Sequence, residues 1–185
     1  GCEQTPNGLR NKDALLLMRE ASVELAYEIV NPYAFEPPIA PHIAAQQVNV
    51  SINISHIVDC YQQIVSQADV VIVEGAGGWL VPLNENETLA DLARALKLPV
   101  INVVGIKLGC LNHALLTAQS IHAASLQLAG WIANHVEPHT EVAKENIQTL
   151  VRRTGAKLLG QLPYLPNSDA QSLASMLDTR TLLNP

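Results

Sequence analysis

The sequence has 185 residues, a formal net charge of −6 with histidines neutral, and 48% hydrophobic residues. That length fits one α/β domain over residues 1–185, with a core large enough to need no disulfide or metal staple. The negative balance argues against nonspecific binding to a nucleic-acid backbone, and no apolar run approaches the roughly 20 residues that cross a bilayer.

Taken in chain order, residues 12–20 form a helix candidate with Leu15, Leu16 and Met18 apolar. Residues 31–41 hold four prolines and read as an extended, ordered loop, with Pro41 opening a short helix through His42–Gln46. Asn53 to Gln67 is amphipathic through Ile54, Ile57, Val58, Tyr61, Ile64 and Val65. Four apolar runs follow, Val70–Val73, Val100–Val104, Leu128–Ala133 and Lys157–Leu162, with starts about 30 residues apart. That is the usual length of a strand–helix–strand unit. Between them the pattern predicts helices from Thr88, as a cap, to Lys97, from Cys110 to about Ala124, and from about Thr140 to Arg153 with Gly155 as the stop. Alternating strands and helices imply a parallel sheet covered on both faces. Doubly wound sheets usually open with a strand and a phosphate-binding glycine turn. These residues begin instead with glycine, a polar loop and a helix, so the opening strand–loop–helix is expected to be missing from them.

Cys2, Cys60 and Cys110 are odd in number and widely spaced, which suits neither a disulfide framework nor a zinc site. With no signal-peptide pattern at the start, a reducing, cytosolic setting is expected.

The strongest chemical signal is Val70-Val71-Ile72-Val73-Glu74-Gly75-Ala76-Gly77-Gly78-Trp79. A buried strand would deliver Glu74 at its C-terminal end, where ligands bind in open α/β sheets. A carboxylate there could hold Mg²⁺, and the glycines would let backbone N–H groups approach an anion. A tight connection with a solvated glutamate remains the plainer reading. Gly105-Ile106-Lys107-Leu108-Gly109-Cys110-Leu111-Asn112-His113 places glycines at a strand-to-helix junction, where a helix N-terminus favours an anion. An ordinary loop fits equally, and His113 reads as a satisfied structural histidine. Asn134 offers both donors and an acceptor, which suits a base edge or a turn, and Pro163-Tyr164-Leu165 shares the ambiguity. Asp13 alone reads as a first-turn helix acid, and Trp79 and Trp131 read as packing residues.

Together these segments resemble the dethiobiotin synthetase family along nearly the whole sequence. The matching stretches are Thr5-Pro-x-Gly-Leu-Arg-Asn-x-Asp13, Asn31-Pro-Tyr, Pro41-His42, Val73-Glu-Gly-Ala-Gly-Gly-Trp79, Val104-Gly-x-Lys-Leu-Gly-Cys-x-Asn-His113 and Ala129-Gly-Trp-x-Ala-Asn134. They stand in the family's order and spacing, and the resemblance fades after about Leu165. It implies a three-layer, parallel-sheet fold like that of P-loop NTPases and a homodimer. The implied activity joins CO₂ to 7,8-diaminononanoate with MgATP, closing the ureido ring of dethiobiotin for biotin synthesis. A carbamate oxygen would attack the γ-phosphate, a phosphoryl transfer governed by positioning and charge neutralisation.

Carried over by position, the resemblance implies that Asp13 and Glu74 bind magnesium and nucleotide, and that Glu74, Gly75, Ala76 and Gly77 lie beside the phosphates. Asn134 would read the adenine edge, with Pro163, Tyr164 and Leu165 lining the base pocket. Gly109, Cys110 and Asn112 would hold the substrate carboxylate, and Asn146 would reach it from the partner subunit. There are two departures. No G-x-x-x-x-G-K-[ST] motif occurs, and the family's catalytic lysine and substrate-contacting serine should precede Gly1, so residues 1–185 alone are expected to be inactive. The second departure is near Asn167, where the family often has a ribose-contacting acid. The alternatives are a partitioning-type P-loop ATPase, for which no basic or amphipathic surface is visible, and a truncated, non-catalytic relative.

Overall fold

A computed structural model describes residues 1–166 and 169–183; Asn167 lies outside the described residues. Two compact units divide the chain, Gly1–Leu96 and Lys97–Pro185.

The first unit opens with an antiparallel hairpin of β1 (Glu3–Thr5) and β2 (Gly8–Arg10), in which Glu3 faces Arg10 and Thr5 faces Gly8. The sequence pattern predicts only a polar loop here, because three-residue strands are too short to show alternation. Helix α1 (Lys12–Glu20) starts on the cap Asn11, and α2 (Tyr27–Val30) is a single turn. Helix α3 spans Pro41–Gln47 with its proline in the first turn, as expected where the missing N–H is not needed. Helix α4 (Ile54–Val65) is capped by Asn53, and α5 covers Leu89–Leu96. Their apolar faces meet in a cluster of Ala45, Ile52, Ile54, Leu83 and Leu92, against which Tyr33, Phe35, Ile57 and Val58 pack. The Thr88 expectation holds with a twist in its chemistry. The Thr88 hydroxyl and backbone N–H both donate to Asp91 Oδ2 at 2.8 Å, so the acid of the capping box accepts both bonds.

The expected strand Val70–Val73 is not one. These residues have no ladder partner among the described residues, and Ile72 is 80% exposed. Composition alone cannot make a strand, because each backbone N–H and C=O needs a neighbour to bond.

In the second unit, β3 (Val100–Ile106), β4 (Leu128–His135) and β5 (Leu158–Leu162) form a parallel sheet in the order β3-β4-β5. The connections are α6 (Cys110–Ala123) and α7 (Ala143–Arg153). Val104, Ile106, Trp131 and Ala133, alternate residues of β3 and β4, pack on Cys110 and Ala114 of α6 and on Ile147 and Leu150 of α7. Trp131 is wholly buried, as expected of a packing residue, although its indole Nε1 has no hydrogen-bond partner. Both helices cover that one face, whereas Ile101 and Val103 on the other are exposed. Gly155 takes a φ of 68° just past the C-cap Thr154, the left-handed stop that the sequence predicts. The short helices α8 (Ala170–Ala174) and α9 (Arg180–Leu183) follow β5.

Candidate functional site

The register of the second unit lines up the strand ends. Gly105 pairs with Asn134, and Asn134 pairs with Leu162. In a parallel sheet this brings the C-terminal ends of all three strands to one edge, the edge where such sheets bind ligands. Asn134 therefore sits between Gly105 on one side and the Leu162–Leu165 exit on the other. Pro163, Tyr164 and Leu165 are exposed directly beyond β5. The base-pocket candidates Asn134, Pro163, Tyr164 and Leu165 thus belong to one stretch of edge.

Next to them, a groove of about 490 Å³ lies where β3 turns into α6. Its lining includes Gly105, Lys107, Leu108, Gly109, Cys110 and His113. The turn works because Gly109, the N-cap, has a φ of 88°, a left-handed conformation that costs a side-chain-bearing residue about 1–2 kcal/mol. As a glycine, Gly109 also brings no capping side chain; the Cys110 N–H is taken by the Lys107 carbonyl at 3.1 Å, which leaves the Leu111 and Asn112 amides of that turn for an anion. The partial positive charge of a helix start favours such an anion by about 0.3–1 kcal/mol when exposed. Across the loop, Thr140 Oγ1 donates to the Ile106 carbonyl at 3.2 Å, tying the segment before α7 to the end of β3.

Of the substrate-site candidates, Gly109 and Cys110 line the groove, and Cys110 is otherwise buried in the core. Asn112 is exposed and does not line it, and Asn146 is half-buried in the first turn of α7. His113 departs from the structural role expected of it, being exposed on the groove. Asn102 and Thr117 also line the groove and were not anticipated. The signal for Asn102 was present, as the one polar residue among Val100–Val104.

The acidic candidates belong to the first unit. Asp13 is the second residue of α1, and its backbone N–H donates to Asn11 Oδ1 at 2.8 Å. Neighbouring Lys12 pairs instead with Glu3 at 2.6 Å, and this partner raises the Lys12 pKa above its ordinary value. Asp13 and Glu74 are both exposed and neither forms an ion pair among the described residues. Each is a hard carboxylate donor of the kind Mg²⁺ takes, and that ion is usually held by one or two carboxylates plus substrate phosphates and water. Among the described residues no group of three or more His, Cys, Asp or Glu could hold a metal, so a closed all-protein cage is not what these residues offer. In the turn after Glu74, Gly77 and Gly78 have φ of 86° and 112°. The Val81 N–H closes it on the Gly78 carbonyl at 3.1 Å. A Cβ on Gly75 would meet Leu89 Cδ1 at 3.0 Å, so glycine there also serves close packing. Ala76 is exposed between them.

Comparison with known proteins places the chain in a family. The family described as an AAA domain matches residues 3–172. The ATP-dependent dethiobiotin synthetase BioD of Pseudomonas paraeruginosa (strain DSM 24068 / PA7) is 51% identical over 183 residues, covering 98% of this chain and 80% of that protein. The protein of the same name from Vibrio parahaemolyticus is 48% identical over 184 residues, covering 100% and 81%. That from Xanthomonas oryzae pv. oryzae (strain PXO99A) is 47% identical over 177 residues, covering 96% and 79%. The chain belongs to the dethiobiotin synthetase family.

Membership also fixes the fold class as α/β of the P-loop NTPase-like kind, with the parallel sheet β3-β4-β5 as its observed part. No described helix is long and apolar enough to cross a membrane.

Proposed function

We propose that the protein joins CO₂ to 7,8-diaminononanoate at the expense of ATP, forming dethiobiotin for biotin biosynthesis. The observation that carries this reading is the 51% identity, across 98% of the chain, to a relative named for that reaction. In this reading residues 1–185 act as one α/β domain within a cytoplasmic homodimer.

The chemistry proceeds in three bond-forming steps, of which the first joins one amine nitrogen to the carbon of CO₂, with loss of a proton, to give the carbamate. A carbamate oxygen of the carboxylated diamine bonds to the γ-phosphorus, and the bond to the β-phosphate oxygen breaks to release ADP. The second amine then bonds to the carbamate carbon, releasing phosphate and a proton and closing the ring. Bound Mg²⁺ would supply charge neutralisation on the phosphates, held by Asp13 and Glu74. Gly75, Ala76 and Gly77 present backbone N–H groups to the phosphates. The Asn134 amide reads the adenine edge, with Pro163, Tyr164 and Leu165 against the ring. The helix start at Gly109 and Cys110, with Asn112, holds the substrate carboxylate, and Asn146 approaches it from the partner subunit. The open groove at that helix start supports the assignment of Gly109 and Cys110, and the alignment of Gly105, Asn134 and Leu162 supports that of Asn134 and Pro163–Leu165. A polypeptide confined to residues 1–185 carries no G-x-x-x-x-G-K-[ST] motif, and we expect it to be inactive by itself.

The test is dethiobiotin formation from the diamine, bicarbonate and MgATP, with the product of the complete reading frame beside a polypeptide of residues 1–185. Dethiobiotin from the former alone supports both parts of the reading. Robust turnover by residues 1–185 overturns the expected inactivity. ATP hydrolysis without dethiobiotin, stimulated by DNA or lipid vesicles, would favour a partitioning-type ATPase instead.

A further inference from the structure

Asp13 does not hold its position unaided. Its amide and that of Ala14 donate to Asn11 Oδ1 at 2.8 and 3.1 Å, which fixes the first turn of α1 on the Asn11 cap. Asn11 is in turn held from outside the helix. Its backbone N–H donates to the Tyr27 hydroxyl at 2.7 Å, and its Nδ2 donates to the Gly1 carbonyl at 3.3 Å. The Tyr27 oxygen accepts a second bond, from Asn31 Nδ2 at 2.9 Å. The one-turn helix α2 makes this possible, since residues four apart on a helix stand one above the other. Tyr27 is 7% exposed, and the Arg10 guanidinium lies 4.0 Å from its ring centroid while pairing with Glu28 at 3.3 Å. A phenol oxygen accepting two bonds is thus clamped by a buried ring on one side and a cation on its face.

We propose that Tyr27 is a positioning residue for the metal-binding carboxylate of Asp13, acting through the Asn11 cap. The inference rests on the reading of Asp13 as a ligand for Mg²⁺. Groups that orient a metal ligand without touching the metal commonly change metal affinity by about 10–100-fold when removed. The molecule also contains a matched control. The Asn53 N–H donates to the Tyr33 hydroxyl at 3.0 Å, and Asn53 Oδ1 caps α4 by accepting from Ser55 N–H at 2.8 Å. The same tyrosine–asparagine device occurs there, but the first turn of α4 has no acidic residue.

The experiment measures Mn²⁺ binding in the presence of ADP by the loss of the free-ion electron paramagnetic resonance signal, so that no turnover is needed. The product of the complete reading frame is compared with its Asp13→Asn, Tyr27→Phe, Tyr33→Phe and Asp13→Asn/Tyr27→Phe variants. The expected result is a Kd raised about tenfold or more by Tyr27→Phe, no change with Tyr33→Phe, and a double variant no weaker than Asp13→Asn alone. Unchanged affinity in Tyr27→Phe, alongside a loss in Asp13→Asn, overturns the positioning role and leaves the ligand reading standing. Unchanged affinity in Asp13→Asn overturns the ligand reading itself. Equal losses in Tyr27→Phe and Tyr33→Phe, or additive losses in the double variant, would reduce Tyr27 to general stability. Should Tyr27→Phe fail to fold, Asn11→Ala removes the cap oxygen through which Tyr27 is proposed to act. A raised Kd in that variant supports the proposal, and an unchanged one refutes it.

Discussion

Replacing Gly109 with alanine isolates the cost of the turn that opens α6. A Cβ built on Gly109 meets nothing within 4 Å, so no steric clash with the surroundings contributes. What remains is the backbone, whose φ of 88° lies in the left-handed region. That conformation costs a residue with a Cβ about 1–2 kcal/mol, which for a chain of this size corresponds to roughly 2–8 °C in Tm. Asparagine tolerates the same region better, so Gly109→Asn should recover part of the loss. Urea unfolding followed by circular dichroism gives the stability, and the KM for the diamine reports on the helix start. A chain that keeps the turn shows the stability loss with KM little changed. A chain that escapes the strain by re-forming the turn keeps its stability but raises KM. If Gly109→Ala leaves both the urea midpoint and KM unchanged, the argument that this turn needs a glycine is wrong.

Two further predictions concern one core side chain and one helix cap. Leu150→Ala removes a fully buried side chain from the cluster around Trp131 and should cost about 2–5 kcal/mol, read as a lower urea midpoint. Asp91 titrates below the usual carboxylate range, chiefly because it accepts the Thr88 N–H and hydroxyl bonds. Because its folded pKa is depressed, the unfolded chain binds more protons in the window between the two pKa values. Its contribution is therefore complete above the ordinary carboxylate pKa and is lost as pH falls through the lowered value. Asp91→Asn should flatten the acid limb of stability below about pH 4. An identical limb in both proteins would refute that assignment.

Much of the second unit was legible because its elements are long and periodic. The expected Val100–Val104 and Leu128–Ala133 are the cores of β3 and β4, and Cys110 to about Ala124 matches α6 to within a residue. The site there could be read for the same reason: a glycine pair at a strand–helix junction and an asparagine at a strand end are local signals. Val70–Val73 shows the limit, since its composition is that of a strand but pairing is a property of neighbours. Asn102 was visible as the one polar residue of an apolar run, but its place on the groove depends on which face of β3 α6 covers. The Tyr27–Asn11 bond joins residues 16 apart through a side-chain hydroxyl and a backbone amide, which no window of periodicity can register. The hairpin of β1 and β2 was missed through brevity alone.

The alignment of Gly105, Asn134 and Leu162 has a consequence for how such a chain can vary. The edge is assembled from three strand ends, each fixed by counting residues along its own ladder. Lengthening a crossover on the far side of α6 or α7 leaves that count intact. Deleting one residue within β4 upstream of Trp131 does not. It would draw Asn134 out of line with both neighbours and turn Trp131 from the buried face to the opposite one. Insertions and deletions compatible with a working edge should therefore collect at the entrances to the strands and the helix ends. Within β3, β4 and β5, change should be by substitution alone.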